Sequence, residues 1–139
     1  LDGFKALNDT LGHSIGDELL SEAASRLKRT VRETDTVARL VGHEFVVLLT
    51  EVTSLERVGT IAEKILTGLN RPFHLAGQQL SLSASIGISL CPQDAGDSDN
   101  LIRFADIAMY QAKKKKGCFS YYSSYMNPDV QPPVKESRP

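Results

Sequence analysis

The chain has 139 residues, 41% of them apolar, and its acidic and basic side chains nearly cancel at a formal net charge of -1. That length supports one domain with a hydrophobic core and is short for two, while the charge balance excludes a disordered chain, a nucleic-acid-coating surface and an acidic tail. No apolar run approaches the roughly 20 residues that cross a bilayer, and the first residues lack the charged-then-apolar pattern of a secretion signal.

Leu1-Asp2-Gly3-Phe4 reads as the close of a strand entering a turn, so the chain is expected to begin inside a fold. Phe4 to Leu11 is a short helix, broken at Gly12-His13-Ser14. Ser14 is the expected N-cap of the next helix, with Asp17 standing in for the acid of a capping box. Ile15, Leu19, Leu20, Ala23, Ala24, Leu27 and Val31 recur at helical steps, the inward stripe of a helix reaching about Glu33. Thr36 to Leu40 and Phe45 to Thr50 are rich in β-formers and separated by four residues, which predicts a hairpin with a polar tip. Leu55, Val58, Ile61, Ala62, Ile65 and Leu69 form a second helical stripe, closed by Asn70 and Pro72. From Leu80 to Leu90 apolar residues alternate with small polar ones, the period of one strand with a buried face. A loop containing Pro, Asp and Gly leads to a third helix over about Ser98 to Lys115, with Leu101, Ile102, Ala105, Ala108, Met109 and Ala112 inward. Cys118 to Tyr122 is a last strand. The segment Asn127 to Pro139 holds four of the six prolines. Residues 1–123 are therefore expected to form an α+β domain and residues 124–139 a linker or disordered tail. Cys91 and Cys118 sit in no metal-ligand spacing and fit reduced thiols of a cytosolic protein, with a disulfide between them as the alternative.

Four polar clusters stand out. Lys5, Asn8 and Asp9 project from one short helix, and Asp17 faces back from the next, a set able to read a purine edge and hold a phosphate. On spacing alone, capping and a solvated helix face account for them better. The hairpin tip, Arg39 to Phe45, carries Gly42 where a tight turn needs a positive φ, beside His43 and Glu44. One His and one Glu do not make a metal or acid–base site by themselves. Arg32 and Asp35, three apart at a helix end, suit a phosphate or a guanine edge, or equally a surface ion pair. The run Lys113 to Lys116 before Gly117 complements a helix C-terminus.

Taken together these residues resemble a specific family. Leu1 to Asp17 is similar to the stretch of GGDEF (diguanylate cyclase) domains written D-L-D-x-F-K-x-x-N-D-x-x-G-H-x-x-G-D. Ala38 to Phe45 matches A-R-x-G-G-D-E-F in position, Ser85 to Ser89 resembles S-I-G-x-S, and Ala105 to Lys113 resembles A-D-x-A-M-Y-x-A-K. The resemblance runs from Leu1 to about Tyr122 and omits the family's first strand and helix. It implies a fold like that of the nucleotidyl cyclase and polymerase palm, a central antiparallel sheet flanked by helices, here N-terminally truncated. It also implies a reaction in which two GTP molecules, one on each domain of a homodimer, condense to cyclic di-GMP with the help of magnesium ions (Mg2+). Asn8 and Asp17 then match guanine-contacting positions, Lys5 and Lys113 phosphate-contacting lysines, and Leu1 a residue whose backbone carbonyl helps to hold metal. Arg32 and Asp35 match the R-x-x-D inhibitory site for cyclic di-GMP, with Lys64 near the place of a supporting arginine. The setting implied is cytoplasmic, alone or within a larger membrane-anchored protein, attached to a sensor or phosphodiesterase domain.

The departures are equally specific. The family's metal-binding Asp would lie just before Leu1. The acidic third residue of the signature loop is His43, and its first glycine is Val41, bulkier and less tolerant of positive φ. Glu44 is the carboxylate that remains, and magnesium prefers hard oxygen ligands to imidazole. The G-R-N that usually follows Lys113 is replaced by Lys114-Lys115-Lys116. A degenerate cyclase that still binds nucleotide and acts as a regulatory module is the reading that follows. An active cyclase in the full-length protein, and a dimerisation module that binds no nucleotide, are the alternatives.

Overall fold

The computed structural model describes residues 1–127. These fall into two compact units: Leu1–Ser85 with Lys116–Cys118, and Ile86–Lys115 with the described residues from Phe119 onward.

In the first unit, helix α1 spans Phe4–Leu11 and α2 spans His13–Thr30. A single glycine serves both ends. Gly12 sits at φ 94°, and its N–H bonds to the Asn8 carbonyl at 2.9 Å, closing α1 while α2 starts one residue on. Ser14 is therefore inside α2 and does not cap it, because the reversal at Gly12 leaves no extended residue there. The helix also stops three residues short of Glu33. Strands β1 (Thr36–Arg39) and β2 (Phe45–Leu48) pair antiparallel in the expected hairpin. Helix α3 (Leu55–Asn70) starts at Ser54, whose hydroxyl accepts from the Arg57 N–H.

Leu19, Leu20, Ala23 and Leu27 of α2 and Val58, Ala62, Ile65 and Leu69 of α3 are all buried, as the two helical stripes predict, whereas Val31 of the first stripe lies past the end of α2. Leu55 lies outside that core, exposed at the start of α3. Arg26 supplies a tie that periodicity did not reveal. Its guanidinium donates to the carbonyls of Gly68, Arg71 and Pro72 at the C-terminal end of α3, and stacks 3.7 Å from the ring centroid of the fully buried Phe73. A cation at that end satisfies carbonyls the helix leaves open.

The single strand expected over Leu80 to Leu90 is divided among three partners. Strands β3 (Phe73–Leu75) and β4 (Gln78–Leu80) make a hairpin, Ser83 bridges to Asp2, and β5 (Ile86–Ile88) belongs to the second unit. The alternation is nonetheless real: Leu80, Leu82 and Ala84 are buried on one face. The β3–β4 hairpin turns on Ala76 and Gly77, both at positive φ, as a type I′ turn requires. Alanine is an unusual first residue for that turn, which is why the hairpin was not legible.

In the second unit, β5 pairs with β6 (Phe119–Tyr121) in parallel, with α4 (Ser98–Lys113) as the crossover between them. A helical crossover returns the chain in the same direction, so this pair cannot be antiparallel as expected. Gly87 lets α4 lie directly on β5, since a Cβ there would stand 1.9 Å from the Ala105 carbonyl oxygen. Ala108 and Ala112 are buried beneath it, while Ile102, expected inward, is exposed. A 3-10 turn at Ser124–Met126 and the buried Asn127 replace the first residues of the tail expected over 124–139, and the rest, from residue 128, lies outside the described residues. Among the described residues no helix is long and apolar enough to cross a membrane. Cys91 is a free, exposed thiol, so the disulfide alternative is not taken up.

Candidate functional site

The α1–α2 corner positions the first cluster. Asn8 leaves α1 toward α2, where Gly16 is buried; a Cβ on Gly16 would lie 2.0 Å from Asn8 Oδ1 and 3.4 Å from Phe4 Cζ. Glycine there leaves room for the Asn8 amide in this position. The Asn8 side-chain nitrogen lies 3.2 Å from His13 Nδ1. Lys5, Asp9 and Asp17 are exposed around this corner.

The hairpin tip is a tight turn closed by Glu44 N–H donating to the Val41 carbonyl at 3.1 Å, with Leu40 N–H on the Glu44 carbonyl at 2.9 Å. Gly42 is at φ 59° and His43 is not at positive φ, the pattern of a type II′ turn. Val41 is not at positive φ either. The strain expected of it is absent, and its side chain is 78% exposed.

Phe4 joins corner and turn. It is buried against Gly16, and its ring stacks on the His43 imidazole with centroids 5.4 Å apart and planes 25° apart. The Leu1 nitrogen lies 3.5 Å from His43 Nδ1 and 3.4 Å from its carbonyl oxygen. Leu1, Phe4, Asn8, His13, Gly16 and His43 are thus one neighbourhood. Lys113 lies in the second unit. The third position of the loop is an imidazole held by an aromatic stack, and Glu44 beside it is the loop's carboxylate. Magnesium takes an octahedron of hard oxygens, and an imidazole at this loop position is a poor ligand for it. Among the described residues, no three His, Cys, Asp or Glu side chains converge as a metal would need.

Asp2 is the residue that sequence reasoning missed. Its carboxylate accepts from the hydroxyls of Ser83 at 2.8 Å and Ser85 at 2.9 Å and from the Gly117 N–H at 3.3 Å. Burial raises its pKa, but these bonds outweigh burial and hold it below the ordinary aspartate value. The signal was the spacing of Ser83 and Ser85, two apart and so on one side of an extended segment, with Ser83 bridged to Asp2.

Arg32 and Asp35 stand at the base of the hairpin. Asp35 is 9% exposed, and its carboxylate accepts from the backbone N–H groups of Arg32 at 2.9 Å and Thr50 at 3.1 Å. The Arg32 guanidinium pairs with Asp35 at 3.5 Å and donates to the Thr50 carbonyl. Burial pushes the Asp35 pKa up, yet the Thr50 and Arg32 bonds pull it below the usual carboxylate value. Lys64 is exposed on α3, lining a groove with Thr30, Thr60, Glu63, Thr67 and Arg71.

With this geometry in place, the sequence pattern described as "Diguanylate cyclase, GGDEF domain" matches residues 1–118. The chain belongs to the GGDEF domain family. This GGDEF domain is 42% identical over 132 residues, 94% of its length, to the bifunctional diguanylate cyclase/cyclic di-GMP phosphodiesterase MucR of Pseudomonas aeruginosa, of which it spans 19%. It is 36% identical over 113 residues, 81% of its length, to the cyclic di-GMP phosphodiesterase NbdA of the same organism, of which it spans 14%. The crystal structure of an EAL/GGDEF domain protein from M. capsulatus superposes with a TM-score of 0.84 at 43% identity, covering 88% of this chain and 80% of that one. The α+β, cyclase-palm-like fold inferred from the motifs is the fold of these GGDEF domains.

Proposed function

We propose that this GGDEF domain is a catalytically degenerate diguanylate cyclase that retains nucleotide binding and regulates the protein of which it forms part. The observation that carries the reading is His43. At the loop position where the family keeps an acid, an imidazole is packed on Phe4. Phosphoryl transfer between two GTP molecules develops charge that divalent cations and carboxylates must hold, and one carboxylate, Glu44, is left for that task in the turn. The recognition groups have fared differently. Asn8 is oriented over Gly16, and Lys5 and Asp17 stand exposed beside it, in a form suited to GTP. Arg32 and Asp35 are both present for cyclic di-GMP, with Lys64 exposed on α3. In support, NbdA is named for phosphodiesterase activity alone and MucR for both activities.

The alternative, an active cyclase in the full-length protein as a homodimer with Mg2+, is favoured by the intact turn geometry at Gly42 and by Glu44. Calorimetry of the domain with GTP and with cyclic di-GMP tests the binding: micromolar affinity for at least one is expected, and silence from both at high micromolar concentration ends the proposal. Incubating the full-length protein with GTP and magnesium separates the two readings. No cyclic di-GMP is expected from the native loop, and sustained product formation overturns degeneracy.

A further inference from the structure

We propose that His13 is a positioning residue that fixes which way round the Asn8 amide faces, so that guanine recognition at the α1–α2 corner follows the protonation of one imidazole. The recognition half of this rests on the nucleotide-binding reading above. The positioning half stands on the domain's own geometry. Asn8 is held from two sides: its amide nitrogen lies 3.2 Å from His13 Nδ1, and its oxygen occupies the space a Cβ on Gly16 would take, 2.0 Å from that built position. An amide nitrogen only donates, so His13 Nδ1 must accept, which requires a neutral ring carrying its proton on Nε2. Imidazolium donates from both nitrogens, and its Nδ1–H would face the Asn8 NH2. A half-turn of the amide removes that conflict by giving Oδ1 to His13 and placing NH2 over Gly16. Where the corner offered an acceptor it then offers a donor.

Guanine differs from hypoxanthine by an exocyclic amine, which an acceptor matches and a donor does not. The charged and titratable groups that the two helices carry closest to His13 in sequence are Lys5 and Asp9 on α1 and Asp17 and Glu18 on α2, and His43 of the hairpin turn stacks on Phe4. None of these replaces the direct Asn8 contact, because each bears on His13 as a charge and not as the partner of Nδ1.

Two measurements test the proposal. In nitrogen-15 NMR of the free domain, neutral His13 should carry its proton on Nε2, and the Asn8 side-chain NH2 resonances should move with the His13 titration. A neutral form protonated at Nδ1, or Asn8 resonances indifferent to that titration, overturns the positioning whatever any nucleotide does. In calorimetry with GTP and inosine triphosphate across the pH range in which the NMR shows His13 to change protonation, the preference for GTP should be about tenfold at the basic end and fall toward none at the acidic end. His13→Gln, whose amide can accept at every pH, should keep the preference at both. A preference that falls equally in His13→Gln overturns the coupling. Failure of both nucleotides to bind at either end of that range ends the recognition half together with the reading it rests on, and the resonances still decide the role of His13.

Discussion

At the α1–α2 corner the polar side chains are presented outward by packing that lies beneath them, whereas at the base of the β1–β2 hairpin the polar side chains are the packing. Asn8, Lys5 and Asp17 ride on two helices brought together by Gly12, Gly16 and Phe4. Arg32 and Asp35 are spent on Thr50 and on each other, and Asp35 is buried in doing so. Both places carry residue types that suit guanine or phosphate. The difference is whether those groups are still available once the chain has folded. A ligand at the corner meets Lys5 and Asp17 exposed, with Asn8 half-buried between His13 and Gly16, while a ligand at the hairpin base must compete with backbone N–H groups for the Asp35 carboxylate.

The largest effect that sharpens this contrast is expected from Asp35→Ala. It strands the N–H groups of Arg32 and Thr50 and should lower stability by about 3 kcal/mol, read from the urea midpoint, while Asp17→Ala at the corner should stay within about 0.5 kcal/mol. Equal costs at the two positions would erase the distinction. The pH dependence has a definite sign. The folded-state pKa of Asp35 is depressed, so its contribution is present above the unfolded value of about 4 and is lost as pH falls through the lower folded value. Asp35→Asn should accordingly flatten the acid limb of a stability–pH curve, and an unchanged limb would count against the assignment.

Next in size is Gly16→Ala. Alanine gains about 1 kcal/mol in helix propensity over glycine, but the Cβ clash with Asn8 Oδ1 should cost about 1–3 kcal/mol and leave the variant less stable and weaker toward GTP. A stabilised variant would mean that the corner yields freely. Third, Asn8→Ala should lower GTP affinity about tenfold with little change in midpoint, and Arg32→Ala should instead abolish cyclic di-GMP binding. Calorimetry on both variants with both nucleotides would show whether the two regions act separately. The smallest effect is expected of Val41→Gly. The residue is exposed and free of positive φ, so stability should change by less than about 0.5 kcal/mol, whereas Gly42→Ala should cost about 1–2 kcal/mol for its left-handed backbone.

The chain's own periodicities determined a good deal. The stripes of α2 and α3, the β1–β2 hairpin and the buried face of Leu80, Leu82 and Ala84 follow from spacing, because burial of one face imposes a period that composition must obey. The four motifs named the family in order, and they placed His43 where an acid would stand. The sequence could not decide which partner each short strand takes, since pairing joins residues far apart in the chain: Ser83 finds Asp2, and β5 finds β6. Nor could it tell that Asp35 is consumed by Thr50, that Arg26 closes α3, or that Gly16 exists to make room for an asparagine eight residues earlier. Those are outcomes of distance in three dimensions. Hydrogen bonds and close contacts are decided at the scale of an ångström, and no linear pattern of residue types carries that information.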